Sequence, residues 1–254
     1  MRKFADKNMN KFVILQVRTG STRLPGKALL NICGKTVIEH IIDRAKNIDS
    51  DGIIVAVPDS EGDFFCDLIL KTGVFLFKGD EENLISRYFF ASKKYGVDII
   101  IRLTGDNLFI HPEFCSLAVE KLIKENADYV NIVGAPIGTG VDVFTFKALE
   151  KAYNFSDLTS DEKEHIIPVF FRNDFKKAFV EAEGILNFPE LRLTLDTKED
   201  YKFVRVIYEK IYKEGEIIDL KDVIGFVKEN PDVLEINKDV RQKKWKSFSE
   251  SEKN

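Results

Sequence analysis

The residues equipped for chemistry begin at Arg18. From Arg18 to Lys27 the chain reads RTGSTRLPGK, with three cations (Arg18, Arg23, Lys27), hydroxyls at Thr19, Ser21 and Thr22, and two glycines, Gly20 and Gly26. Glycine lets a backbone turn with its N–H groups outward, and such amides with fixed cations cradle phosphate oxygens. The stretch reads as a triphosphate loop; the alternative is an ordinary basic surface loop. It is neither of two common phosphate motifs. A P-loop requires G-x-x-x-x-G-K-[ST], but five residues separate Gly20 from Gly26, and Ala28 follows Lys27. Gly34-Lys35-Thr36 fails too, because Leu29 stands where the first glycine belongs. No dinucleotide fingerprint G-x-G-x-x-G follows the preceding strand.

Acids supply the second half of the chemistry. RLTGD at 102–106 recurs as RLTLD at 192–196. In an extended strand the Arg, Thr and Asp of each echo share one face. Asp106 and Asp196, at two strand tips, would offer a magnesium ion two carboxylates beside nucleotide phosphates. Each has a structural alternative as a helix cap: Asp106 for a helix starting near Pro112, Asp196 for one over 197–212.

Elements that position these groups are legible from periodicity. Short β-branched or apolar runs predict strands at 11–17, 52–57, 74–77, 97–103 and 128–133. Apolar spacings of three and four predict helices at 36–47, 61–72, 80–95, 112–126, 197–212 and 219–229. Strands alternating with helices imply right-handed crossovers, hence an α/β, doubly wound, mostly parallel sheet. Ligands of such sheets bind beyond the carboxyl ends of the strands, where the 18–27 loop and Asp106 fall. Three glycines at 134–140 read as a flexible connection, and His40 as an inert mid-helix residue. One domain is expected over 1–237, followed by a charged tail at 238–254 around Trp245, read as solvated.

Composition narrows the function. Hydrophobic residues at 44% and charged ones at 31% suit a soluble globule, with no apolar run of membrane-spanning length and a polar, non-signal start. A net charge of −4 argues against a general nucleic-acid binder, so an anionic ligand must be met by a local cationic patch. Cys33, Cys66 and Cys115 are odd in number and lack metal-like spacing, which predicts reduced thiols and a cytoplasmic protein.

At LQVRTGSTRLPGK the chain resembles the cytidylyltransferases that activate acidic sugars such as sialic acid and 3-deoxy-octulosonate. It is closer still to their relatives in spore-coat polysaccharide biosynthesis, and the likeness runs over roughly residues 11 to 212. The resemblance implies a nucleotide-diphospho-sugar-transferase-like, Rossmann-like fold with a small antiparallel extension. It implies CTP bound by Leu15, Gln16, Val17, Arg18, Gly20, Ser21, Arg23, Lys27 and Asp106. It matches Asp106 to the family's T-G-D metal aspartate and Asp196 to the aspartate of D-T-x-E-D. Glu164 and His165 match its E-H-x-x-P segment and Arg87 its R-Y motif, which assigns these three to the acceptor. The region 134–190 is expected to close over the acceptor and to form a homodimer contact. Two departures bear on the acceptor. Phe144 stands where relatives have the glutamate of G-x-D-x-E, and Leu108 and His111 interrupt P-x-x-D. An aromatic accepts no sugar hydroxyl, so a less hydroxylated acceptor is expected.

The reaction expected is CTP plus a small acidic or phosphorylated acceptor giving a CMP-conjugate and pyrophosphate, for surface polysaccharide. Catalysis would rest on positioning and charge neutralisation, with Lys27, Arg18, Asp106 and Asp196 as its residues. Two other readings of the same residues are a metal-dependent glycosyltransferase and a non-catalytic nucleotide-binding protein.

Overall fold

Strand β1 (Lys11–Gln16) has buried residues from Phe12 to Leu15, and the sheet is built outward from it. The computed structural model describes residues 9–242. On one side β1 pairs in parallel with β4 (Gly52–Pro58), which pairs with β5 (Phe75–Gly79). On the other it pairs in parallel with β6 (Ile99–Thr104). Beyond β6 come β8 (Asp142–Thr145), β7 (Tyr129–Val133) and β9 (Lys177–Glu181), giving a seven-stranded sheet. Only β8 runs against the others, being antiparallel to both β6 and β7. A two-stranded hairpin, β2 (Asn31–Ile32) with β3 (Lys35–Thr36), follows the glycine-rich loop.

Alternation along β1 sends Val13 and Leu15 to one core and Phe12 and Ile14 to another. The first core is covered by α1 (Val37–Ala45), α2 (Gly62–Leu70), α4 (Pro112–Glu125), α7 (Lys198–Ile211) and α8 (Leu220–Glu229). The second lies under α3 (Leu84–Tyr95) and α5 (Phe146–Tyr153), with α6 (Ser160–His165) packed on α3. Helices on both faces of a mostly parallel sheet are the doubly wound class expected. Among the described residues, no helix is long and apolar enough to cross a membrane.

Several expectations need correction. RLTLD at 192–196 is not a strand: it is an extended segment with one bridge, Ile137 to Arg192. Sequence periodicity did not call β8, α5 or β9. Phe144 is fully buried on β8 against Tyr88 and Phe170, so it is a core residue and carries no information about the acceptor. The charged stretch from 243 onward, Trp245 included, lies outside the described residues.

Candidate active site

The glycine-rich loop leaves β1 at Val17 and closes on itself. Gly26 N–H donates to the Thr19 carbonyl at 3.0 Å, with Gly26 in the left-handed region at φ +68°. An L side chain is disfavoured there. Thr19 is anchored from outside the loop: its N–H and hydroxyl both donate to the Glu61 carboxylate at 2.7 Å. Among the described residues, the amides of Gly20, Thr22 and Arg23 donate to no protein group. Leu15 and Val17, 0% and 3% exposed, can offer a ligand only their main chain.

Both aspartate tips converge on the end of this loop. Lys27 Nζ donates to Asp106 Oδ2 at 2.7 Å, Asp196 Oδ1 at 2.9 Å and the Leu195 carbonyl at 3.0 Å. The tips also touch through backbone, Leu195 N–H donating to the Asp106 carbonyl at 2.9 Å. Asp196 takes further cations from Arg23 and Arg192, each at 2.9 Å. Asp106 Oδ1 accepts the Thr104 hydroxyl at 2.6 Å. Burial disfavours the charge of Lys27, yet the two carboxylates outweigh it and hold its pKa above that of a free lysine. Burial likewise works against the Asp196 carboxylate, and Lys27, Arg23 and Arg192 overcome it and hold its pKa low.

Glycines and a capping box set this geometry. Gly105 brings the first tip against β1, its N–H donating to the Gln16 carbonyl, and a Cβ there would lie 3.1 Å from Val17. Gly138, at φ +93°, sits under the second tip, where a Cβ would lie 2.7 Å from the Thr194 nitrogen. Neither aspartate serves as the expected helix cap. His111 precedes α4, and Thr197 caps α7 in a reciprocal box with Asp200. The T-x-x-D spacing of that box is a sequence signal for it. Nothing in the sequence marks Glu61.

The residues assigned to the acceptor scatter more. Arg87 is 4% exposed and donates to the main-chain carbonyls of Asp80 and Glu81. It braces the turn between β5 and α3, so the guanidinium is not free to reach an acceptor as expected. Glu164 lies on α6 and meets Arg18, the loop's first cation, at 3.3 Å. His165 is partly exposed beside Asp161, and its pKa is lowered by burial and then by Arg102 and Arg18. Arg172 grips both oxygens of Glu162 at 2.6 and 2.7 Å and so fixes α6. Just after His165 comes Ile166, buried at φ +58°, ψ −46°. For a β-branched residue this is a strained backbone, and it ends α6 at the pair Glu164–His165.

Sequence reading missed a buried polar chain on the same side. Arg102 Nε donates to Gln16 Oε1 at 3.0 Å and its Nη1 to Asp142 Oδ2 at 2.7 Å. Tyr88 donates to Gln16 and Tyr129 to Asp142. Arg102 and Asp142 lie directly opposite across β6 and β8, a pairing invisible without knowing that β8 joins the sheet there. Far from these groups, a hollow of about 340 Å³ opens at the amino ends of β4 and β5, lined by Ile53, Val74 and Phe75 among others.

Comparison with known proteins agrees with this arrangement. The family model described as cytidylyltransferase matches residues 12–243. An uncharacterized protein of Methanocaldococcus jannaschii is 36% identical over 243 residues, covering 93% of this chain and 98% of that protein. The spore coat polysaccharide biosynthesis protein SpsF of Bacillus subtilis is 30% identical over 228 residues, covering 86% and 94%. The solved structure of a cytidylyltransferase from Leptospira borgpetersenii is similar with a TM-score of 0.81 at 29% identity, covering 93% of this chain and 100% of that one. With a glycine-rich loop meeting two aspartates beyond the carboxyl ends of its central strands, and nearly its whole described length matched, the chain belongs to the cytidylyltransferase family.

Proposed function

We propose that this cytidylyltransferase transfers CMP from CTP to a small acidic or phosphorylated acceptor, with magnesium, in the making of a surface polysaccharide. The observation that carries this reading is Lys27 Nζ bridging Asp106 and Asp196 at the end of the loop. Two carboxylates that already share one cation suit magnesium, which takes one or two carboxylates and completes its shell with phosphate oxygens and water. Bound there, the ion would neutralise charge on the phosphates.

The chain's own groups do the rest. Free amides at Gly20, Thr22 and Arg23, with the Arg23 and Lys27 cations, receive the triphosphate. Lys27 exchanges carboxylate oxygens for phosphate oxygens as the nucleotide enters. The acceptor oxygen attacks the α-phosphorus in line, the bond to the β-phosphate breaks, pyrophosphate leaves and the acceptor hydroxyl's proton passes to solvent. Positioning and charge neutralisation supply the rate, as in phosphoryl transfer generally. The role in polysaccharide synthesis is supported by the similarity to SpsF. The test is pyrophosphate release from CTP, UTP and ATP across a panel of acidic and phosphorylated acceptors, with and without magnesium. Release from CTP that needs both an acidic acceptor and magnesium is expected. Equal release from UTP, or none with any acceptor, overturns it.

A further inference from the structure

Gln16 ends β1 two residues before Arg18, and its amide orientation is fixed by its partners. Arginine can only donate, so the Gln16 atom that meets Arg102 Nε must be the oxygen. That oxygen also accepts the Tyr88 hydroxyl at 3.1 Å. Gln16 Nε2 is thereby turned away from the network, with two N–H groups and no acceptor among the described residues. Arg102 is held as tightly: Nε is on Gln16, Nη1 on Asp142, and Asp142 is itself completed by Tyr129. No group among the described residues accepts from Arg102 Nη2. The enclosed side-chain polar atoms without a partner are Ser92 Oγ, Asn107 Oδ1, His111 Nε2 and Asn131 Oδ1 among the described residues. Gln16 Nε2 and Arg102 Nη2 are not among these four, so these two unpaired donors are not fully enclosed.

We propose that Gln16 Nε2 and Arg102 Nη2 form the fork that reads the carboxylate of the acceptor. This rests on the cytidylyl-transfer reading and assigns its acceptor specificity. A carboxylate takes one N–H on each oxygen, and a planar guanidinium beside an amide offers that pair with a charge behind it. The surroundings favour an anion over a neutral carbonyl. Arg18 stands two residues beyond Gln16, and His165 feels both Arg18 and Arg102. The acids facing this group are Asp142, bound to Arg102, Glu164, paired with Arg18, and Asp161 beside His165. A carboxamide would set an N–H₂ against one arm, so the fork separates an acid from its amide.

Gln16→Glu tests this, because its carboxylate can still accept from Arg102 and Tyr88 while the outward donor is lost and a like charge faces the ligand. Gln16→Met removes the donor without adding charge. With a 2-keto-3-deoxy sugar acid as acceptor, Gln16→Met should raise the acceptor KM about tenfold and Gln16→Glu more, one charge-assisted hydrogen bond in each case. The KM for CTP, whose binding the resemblance also assigns to Gln16, should rise less than the KM for the acceptor. The wild-type preference for the acid over its carboxamide should shrink in both variants. A rise confined to the KM for CTP would place the fork on the nucleotide base and overturn the proposal. If no acceptor releases pyrophosphate, the transfer reading fails, and the fork is judged by binding alone. The ¹⁵N shift of the Gln16 side-chain amide should then move on adding the sugar acid with CTP present and not on adding its carboxamide. No movement with the acid would overturn the fork even where CTP binds.

Discussion

RLTGD and RLTLD carry the same letters to opposite arrangements. RLTGD begins in β6 and ends just beyond it, with parallel β1 on one side and antiparallel β8 on the other. Arg102 therefore finds its counterion across the sheet, on Asp142, and leaves Asp106 to Thr104 and Lys27. RLTLD lies off the sheet, where Arg192 folds back on its own Asp196 and on the buried Asp200. Asp196 consequently holds three cations, Lys27, Arg23 and Arg192, whereas Asp106 holds one. The lesson is that local sequence sets which residues reach a tip, and sheet neighbours set which charges remain to be satisfied. Asp106 is the carboxylate with capacity to spare, and Asp196 is a ligand candidate that also neutralises its surroundings.

Removing each charge separately should expose that asymmetry. Asp106→Asn and Asp196→Asn should each lower turnover by about a thousandfold, the upper range for losing one preorganised charge contact. Only Asp196→Asn should also lower the melting temperature markedly, because it leaves three partly buried cations short of a partner. Pyrophosphate assays paired with thermal melts decide this. Equal loss of stability in the two variants would erase the contrast, and full magnesium-dependent turnover in Asp106→Asn would remove the tip from the mechanism.

Asp142→Asn probes the other arginine. Arg102 is only 13% exposed at its side chain and its charge is answered by Asp142 alone among the acids it touches. Deleting one member of such a pair should cost about 3 kcal/mol of folding stability, read by urea unfolding. The corresponding change Asp200→Asn should cost less in charge terms, since Arg192 keeps Asp196. If Asp142→Asn proved as stable as the wild type, the buried chain would be dispensable. A smaller loss is expected at the loop: Lys27→Ala should slow nucleotidyl transfer about a hundredfold, in single-turnover kinetics with saturating CTP. Near-wild-type turnover would make the bridge between the tips structural only.

These contrasts also show what the sequence could reveal. The parallel half was legible because β1, β4 and β6 are largely apolar runs ending at loops, so periodicity and punctuation agree. The loop itself was legible because glycines and cations of a phosphate cradle are local in sequence. Beyond β6 only β7 was legible. Strand β8 is four residues long, and β9 (KAFVE) is bounded by charged residues, so neither presents a continuous apolar run. RLTLD resembled a strand because its alternation is real, but its neighbour is the 134–140 connection, seated through Gly138, and not a sheet strand. Arg87 misled for a related reason: an arginine beside a motif tyrosine says nothing of the two carbonyls that the β5–α3 turn presents to it. Tertiary partners decide where a long cation ends, and they are not written next to it.

The smallest effect expected is a difference in pH response around the tips. Burial raises the Asp196 carboxyl, but Lys27, Arg23 and Arg192 prevail and hold its folded pKa below the usual 3.8. A depressed carboxyl stabilises the fold at pH above its unfolded value, and that contribution is lost as pH falls through the folded one. Lys27 runs the other way. Burial lowers it, the two carboxylates prevail, and its folded pKa stands above 10.5. Its contribution is complete below the unfolded value and is lost as pH rises through the folded one. The stability gap between wild type and Asp196→Asn should therefore be flat from roughly pH 5 to 9 and close only in acid. The gap for Lys27→Met should be flat over the same range and close only in strong alkali. Chemical denaturation at fixed ionic strength across that span measures both. A gap that changed between pH 6 and 7 would mean that a histidine, and not the lysine–carboxylate bridge, governs the coupling of loop to tips.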